Sequence, residues 1–261
     1  MSKGLRLYIM AVVILSLTAC SSPKAVEIPV DKPLEESQDI ITIATKEEQE
    51  VIMNEFYKLL SGTKDKDELI SFADENIKRL DADNVDTIII GLEEFLAIGV
   101  SPLDVDYNLL NKYRENTSDE LKSYLDIMAL EVNDVFSDGE GIKTDLPEIL
   151  NRALSSEKHI DSFPGSRTVK RVQDLYTAYI EGAILGAGNQ YIYAEEGSST
   201  IKKDVLHIYK SVVENNKDTK TANILSQYIE VLEANNNDMN SAYVNAFYED
   251  IYEITRSIIN R

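Results

Sequence analysis

One cysteine and two histidines stand in 261 residues, with no tryptophan. A lone cysteine cannot close an internal disulfide, so Cys20 calls for an explanation other than cross-linking. His159 and His207 lie 48 positions apart without ligand spacing around either. The chain has no His-Glu-x-x-His pair, no Gly-x-Ser-x-Gly elbow and no phosphate loop, so the motifs that announce zinc hydrolysis, serine hydrolysis or nucleotide binding are missing. Basic residues are in the minority: 26 Lys and Arg face 46 Asp and Glu, a formal charge of −20. That balance excludes a nucleic-acid partner, which needs a basic face. It also disfavours a domain lying flat on anionic lipid.

Long apolar runs are equally scarce. The one at the start, Leu7 to Leu17, is 11 residues long and interrupted at Ser16. A helix of that length is too short for a bilayer, which takes about 20 apolar residues, but it fits the centre of a secretory signal. Lys3 and Arg6 give it a basic start, and Leu17-Thr18-Ala19-Cys20 closes it. This ending resembles the lipobox of bacterial lipoproteins, with an aliphatic residue, two small residues and a cysteine; the resemblance covers residues 1–20. It implies that residues 1–19 are a cleaved signal peptide and that Cys20 is acylated as the first mature residue. Without residues 1–19, whose charges are Lys3 and Arg6, the formal charge becomes −22 over 242 residues. The expected location is the extracytoplasmic face of the cell membrane, held by the lipid.

Residues 20–44 read as the lipidated cysteine and a flexible tether, with Pro23, Pro29 and Pro33 among polar residues and no helical stripe. From residue 45 onward the pattern is helical. Thr45 to Glu48, Asp65 to Glu68 and Thr117 to Glu120 have capping-box form, and apolar residues follow each at helical spacing. Further starts stand at Asn84, at Ser101-Pro102 and at Asp145-Leu146-Pro147. Longer stripes cover about 167–194, 199–214, 219–235 and 238–260. These elements predict an all-α domain over 45–261, an antiparallel assembly of about ten helices. A compact bundle is preferred to a short helical solenoid. The loop at 138–144 is either a break between subdomains or a simple connection.

Three stretches are unusual enough to be candidate sites. The acidic loop Asp134 to Asp145 invites comparison with an EF-hand, but counting from Asp134 puts Phe136 at the third ligand position, where it cannot coordinate; no metal or cofactor is expected. Pro164-Gly165-Ser166-Arg167-Thr168-Val169-Lys170-Arg171 places three cations at a helix start, against the helix dipole. Arg167, Lys170 and Arg171, joined by Arg152 from the preceding helix, are candidate anion-binding residues. The bland alternative pairs them with Asp161, Asp174 and Glu157. Finally, Gly182, Gly186 and Gly188 fall within seven residues of one expected helix. Each helix-interior glycine costs about 1 kcal/mol, so a neighbouring backbone or a ligand should approach closely there. Tyr176, Tyr179, Gly182 and Gly186 are the candidate ligand cleft, with a buried central helix as the alternative.

Two functions from different classes follow. One is a non-enzymatic lipoprotein that binds an envelope protein, a peptide or a cell-wall component. The other is an extracytoplasmic small-ligand receptor or enzyme with its site between helices near 164–193.

Overall fold

The computed structural model describes residues 42–99, 105–138 and 140–259. Cys20, the signal segment, most of the tether and the Ser101-Pro102 start lie outside the described residues. Within them the chain is all-α: ten α-helices, three 3-10 turns and one hairpin of two-residue strands.

The amino-terminal layer is built from α1 (Lys46–Gly62), α2 (Lys66–Asn76) and α3 (Ala82–Leu96), which pack on one another. Thr45 forms the expected capping box, its hydroxyl accepting from Glu48 N while Glu48 Oε2 accepts from Thr45 N at 2.8 Å. Buried Gln49 ties the entry of the chain to α3. Its Nε2 donates to Ala44 O, and its Oε1 accepts from Asp81 N and Asn84 Nδ2. The helix cap is Asp81 rather than Asn84, because the Asp81 carboxylate reaches Asn84 N at 3.0 Å and Asn84 therefore lies inside the first turn.

The short α4 (Tyr107–Asn111) leads to α5 (Asp119–Asn133). Here Ser118, not Thr117, is the cap: the Thr117 hydroxyl donates back to Arg114 O, and Ser118 Oγ accepts from Leu121 N. The hairpin of β1 (Ser137–Asp138) and β2 (Gly141–Ile142) pairs Ser137 with Ile142 and Asp138 with Gly141. Beyond it, α6 (Leu146–Ser162) starts at an Asp145 cap with Pro147 in its first turn.

α7 (Val169–Leu185) packs along α6 and against α10 (Ala242–Ile259), while α8 (Lys203–Asn215) and α9 (Lys220–Ala234) form the next antiparallel pair, with α9 also touching α6. α9 returns to α6 and α10 to α7, so the helices of this part pack around a shared core as a multi-helix bundle. α7 is shorter than the stripe at 167–194 predicts. It stops at Gly186, whose φ of +59° is left-handed, and Ala187 and Gly188 continue with positive φ. α8 likewise starts later than residue 199, because 194–201 are held by isolated bridges from Ala194 to Ile201 and from Thr200 to Asp238.

Six tyrosines, Tyr107, Tyr124, Tyr176, Tyr179, Tyr209 and Tyr228, are among the largest fully buried side chains of an otherwise mainly aliphatic core. Each hydroxyl finds a buried acceptor or partner, as an aromatic with a polar end must when buried. Tyr209 donates to Ala183 O at 2.6 Å and Tyr228 meets Tyr248 at 2.8 Å.

Candidate functional site

The four cations singled out in the sequence go to three different places. Arg152 lies in the interior, with Nη1 2.7 Å from Glu131 Oε1, Nη2 2.6 Å from Asp134 Oδ2 and Nε 3.0 Å from Glu148 Oε1. Every edge of its guanidinium is occupied, so it does not join the 164–171 turn. Lys170 points to solvent and pairs with Asp174 one turn on. Arg167 and Arg171 do come together, on the wall of one cavity. The other two acids considered as partners turn elsewhere: Glu157 caps the start of α9, accepting from Thr221 N at 2.9 Å, and Asp161 pairs with Lys220.

The reason α7 begins where it does is a buried polar relay. Thr168 occupies the cap position, yet its hydroxyl makes no capping bond. It donates instead to Glu120 Oε1 at 2.6 Å and meets His159 Nε2 at 3.1 Å, and His159 Nδ1 meets Ser123 Oγ at 3.0 Å. α5, α6 and α7 are thereby pinned at one point, which sets the direction in which Arg167 and Arg171 leave the helix start. Burial holds the His159 imidazole below its ordinary pKa, with Glu120 pulling weakly the other way.

The cavity itself has a volume of about 520 Å³, within the range of small-molecule sites. α1 contributes Phe56, Tyr57 and Leu60; α3 contributes Thr87, Ile90, Gly91, Glu93 and Glu94; the start of α7 contributes Arg167, Thr168 and Arg171. Gly91 lets α1 and α3 close on each other, since a Cβ there would stand 2.8 Å from Phe56 Cζ. Tyr57 is half exposed beside the Phe56 ring. Arg167 Nη1 reaches across to Thr87 Oγ1 at 3.4 Å.

Among the lining residues is Glu93, 2 % exposed. Its Oε1 accepts from the hydroxyls of Tyr107 and Tyr124 and from Arg171 Nη1. Arg171 Nη1 also donates to Tyr124 Oη at 2.9 Å. Burial, then the charges of Tyr124 and Glu93, hold the Tyr107 phenol far above its usual range; burial and Glu93 do the same for Tyr124. Burial works against the charge of Arg171, but Tyr124 and Glu93 outweigh it and keep the guanidinium firmly protonated.

The expected cleft along α7 is filled. Tyr176 and Tyr179 are core residues: Tyr176 Oη accepts from Thr221 Oγ1 at 3.2 Å, and Tyr179 donates to Glu131 Oε1 at 2.7 Å. Gly182 does mark a close approach, but the visitor is the Phe136 ring, 2.9 Å from where a Cβ would sit, rather than a ligand or a backbone. Gly186 ends the helix instead of lying inside it. In the acidic loop, Asp134 meets Arg152, Asp138 meets Lys143 and Asp145 caps α6. Among the described residues, no group of three His, Cys, Asp or Glu stands close enough to hold a metal ion.

Glu93 itself escaped the sequence reading, though a signal was there. It stands four residues after Ile89 and eight after Val85, a carboxylate on the buried stripe of α3. Glu131, three after Met128, is the same signal in α5. No family model, curated protein or solved structure matches the chain.

Proposed function

We propose that the chain is a lipid-anchored extracytoplasmic binding protein that performs no covalent chemistry, and that its ligand, a peptide or peptidic cell-wall component, puts a carboxylate into the cavity between α1, α3 and α7. The observation that carries this reading is the presence of Arg167 and Arg171 on the wall of one 520 Å³ cavity, in a chain of formal charge −20. Two guanidiniums within a recess bordered by Tyr57, Leu60 and Ile90 offer forked hydrogen bonds beside apolar surface, the combination that suits a carboxylate on an organic body. Binding is favoured over turnover by the state of the ionisable groups. A general acid or base works best with a pKa near the ambient pH, and Tyr107 and Tyr124 are driven the other way.

The anchor rests on the lipobox resemblance at Leu17 to Cys20. Among the described residues no helix is long and apolar enough to cross a membrane. On the lipobox resemblance the expected attachment is acylation of Cys20, stable when two or more chains are carried.

Two measurements test the proposal. Fractionation of cells expressing Cys20→Ser should find the protein released from the membrane; full retention overturns the anchor. Calorimetric titration of the full-length protein in detergent with solubilised wall fragments and mixed short peptides should give saturable heat that Arg167→Ala weakens. Heat unchanged by Arg167→Ala, or none with either ligand set, overturns the site.

A further inference from the structure

We infer that the cavity recognises a zwitterion, the adjoining ammonium and carboxylate of an α-amino acid with an apolar side chain. The inference rests on the reading of the cavity as a carboxylate site and adds a second subsite to it.

The first argument is charge. The cavity is lined by two guanidiniums, Arg167 and Arg171, and two carboxylates, Glu93 and Glu94. A carboxylate alone answers only the guanidiniums, whereas a ligand carrying both signs is complementary to the whole surface. The second argument is an unfilled acceptor. All three donors to Glu93 converge on Oε1, and among the described residues none reaches Oε2. A carboxylate accepts hydrogen bonds at both oxygens, so Glu93 has acceptor capacity beyond the donors that meet Oε1. Glu93 is a buried residue on the cavity wall, so its second oxygen is the natural seat for a ligand N–H.

The third argument is spacing. Arg171 touches Glu93 directly through Nη1, and among the described residues its Nη2 has no partner. The anionic and cationic subsites are therefore adjacent. Ammonium and carboxylate groups joined through one α-carbon are held side by side, which suits adjacent subsites. A ligand lying this way directs its side chain along Tyr57, Leu60 and Ile90, which are aromatic and aliphatic. That surface selects apolar side chains.

The test uses the full-length protein in detergent and three probes by calorimetry: L-leucine, N-acetyl-L-leucine and L-leucinamide. Leucine should bind, and each analogue, lacking one charge, should bind at least about tenfold more weakly, the factor that corresponds to about 1.4 kcal/mol. Glu93→Gln should cut leucine affinity while leaving that of N-acetyl-leucine nearly unchanged. If N-acetyl-leucine binds as tightly as leucine, the zwitterion is refuted and the carboxylate site stands. If leucinamide binds as tightly as leucine, the carboxylate site falls as well. If wall fragments bind and leucine does not, the zwitterion alone is refuted. Because the analogues act on the unmodified protein, failure of Glu93→Gln to fold leaves the comparison decisive.

Discussion

Removing Arg152 should strand a charge in the core, and the cost can be worked from its surroundings. Its side chain is 2 % exposed and that of Glu131 is 1 % exposed. Arg152→Ala frees three carboxylates, but not equally. Asp134 and Glu148 are 60 % and 37 % exposed and can turn to water. Glu131 cannot: it keeps one donor, Tyr179 at 2.7 Å, and its Oε2 is buried with no partner among the described residues. Breaking a buried ion pair from one side costs about 3–5 kcal/mol. With a urea slope of about 2 kcal/mol per molar, the unfolding midpoint should fall by about 1.5–2.5 M. The double variant Arg152→Met with Glu131→Gln removes both charges and keeps an acceptor for Tyr179. It should recover most of the loss, leaving less than about 1.5 kcal/mol, because replacing both partners of a buried pair is often near neutral. Circular dichroism in urea measures both. A single variant that loses under about 1 kcal/mol, or a double as unstable as the single, refutes the argument that Glu131 is the stranded charge.

Two further perturbations test the fold around the site. At Gly186, an alanine Cβ would sit 2.5 Å from the Asn189 carbonyl oxygen at a φ of +59°. Left-handed backbone costs a non-glycine residue about 1–2 kcal/mol before that clash is counted, so in a domain of this size Gly186→Ala should lower Tm by about 2–8 °C; an unchanged Tm contradicts the left-handed stop. His159 has a folded pKa below its unfolded value, so the unfolded chain takes up its proton first as pH falls. Its contribution to stability is complete above the unfolded pKa of about 6.5 and is lost as pH drops below it toward the folded pKa. Asp86 and Glu181 are shifted up by burial and act in the opposite sense at lower pH. The clean readout is therefore the difference in urea midpoint between wild type and His159→Gln at pH 7.5 and 5.5, which should shrink on acidification; a constant difference removes His159 as the cause.

The helices were legible because their starts are chemically marked. Thr45, Asp65, Asp145 and Thr219 each accept a backbone N–H of the first turn, as their residue types imply. Where two cap-forming residues stand together, sequence order does not say which one turns inward: Thr117 spends its hydroxyl on Arg114 O and leaves the cap to Ser118. The end of α7 was misread for a related reason. Gly182, Gly186 and Gly188 look alike in sequence, but one admits a phenyl ring and the other two carry positive φ. Tyr176 and Tyr179 misled because a tyrosine at helical spacing beside glycines fits both a cleft and a core. Their hydroxyl partners, Thr221 and Glu131, lie 45 and 48 positions away, and no local pattern announces such pairs.

Half of the candidate site was legible, and the reason is again local against distant. Arg167 and Arg171 stood out because cations at a helix start oppose the dipole. Their counterpart Glu93 is 78 positions from Arg171 and belongs to another layer. Its position on a buried stripe does carry information, because a carboxylate there must find a donor. Among the described residues three helical glutamates are buried; Glu157 caps the start of α9, while Glu93 and Glu131 each meet an arginine and end differently. Glu131 meets an arginine whose Nε, Nη1 and Nη2 are all engaged and which is sealed from solvent. Glu93 meets an arginine that is 39 % exposed and uses Nη1 alone among the described residues. The first node is closed and serves stability. The second is open on a cavity and keeps capacity in reserve on both partners. Arg171→Ala should therefore cost less stability than Arg152→Ala, since Glu93 retains Tyr107 and Tyr124 as donors. A charged hydrogen bond of this kind is worth about 1.5–3 kcal/mol, below the loss expected at Arg152. Urea midpoints for the two variants, measured side by side, decide it: if Arg171→Ala is the more damaging, the open node is structural and the assignment of a ligand to it fails.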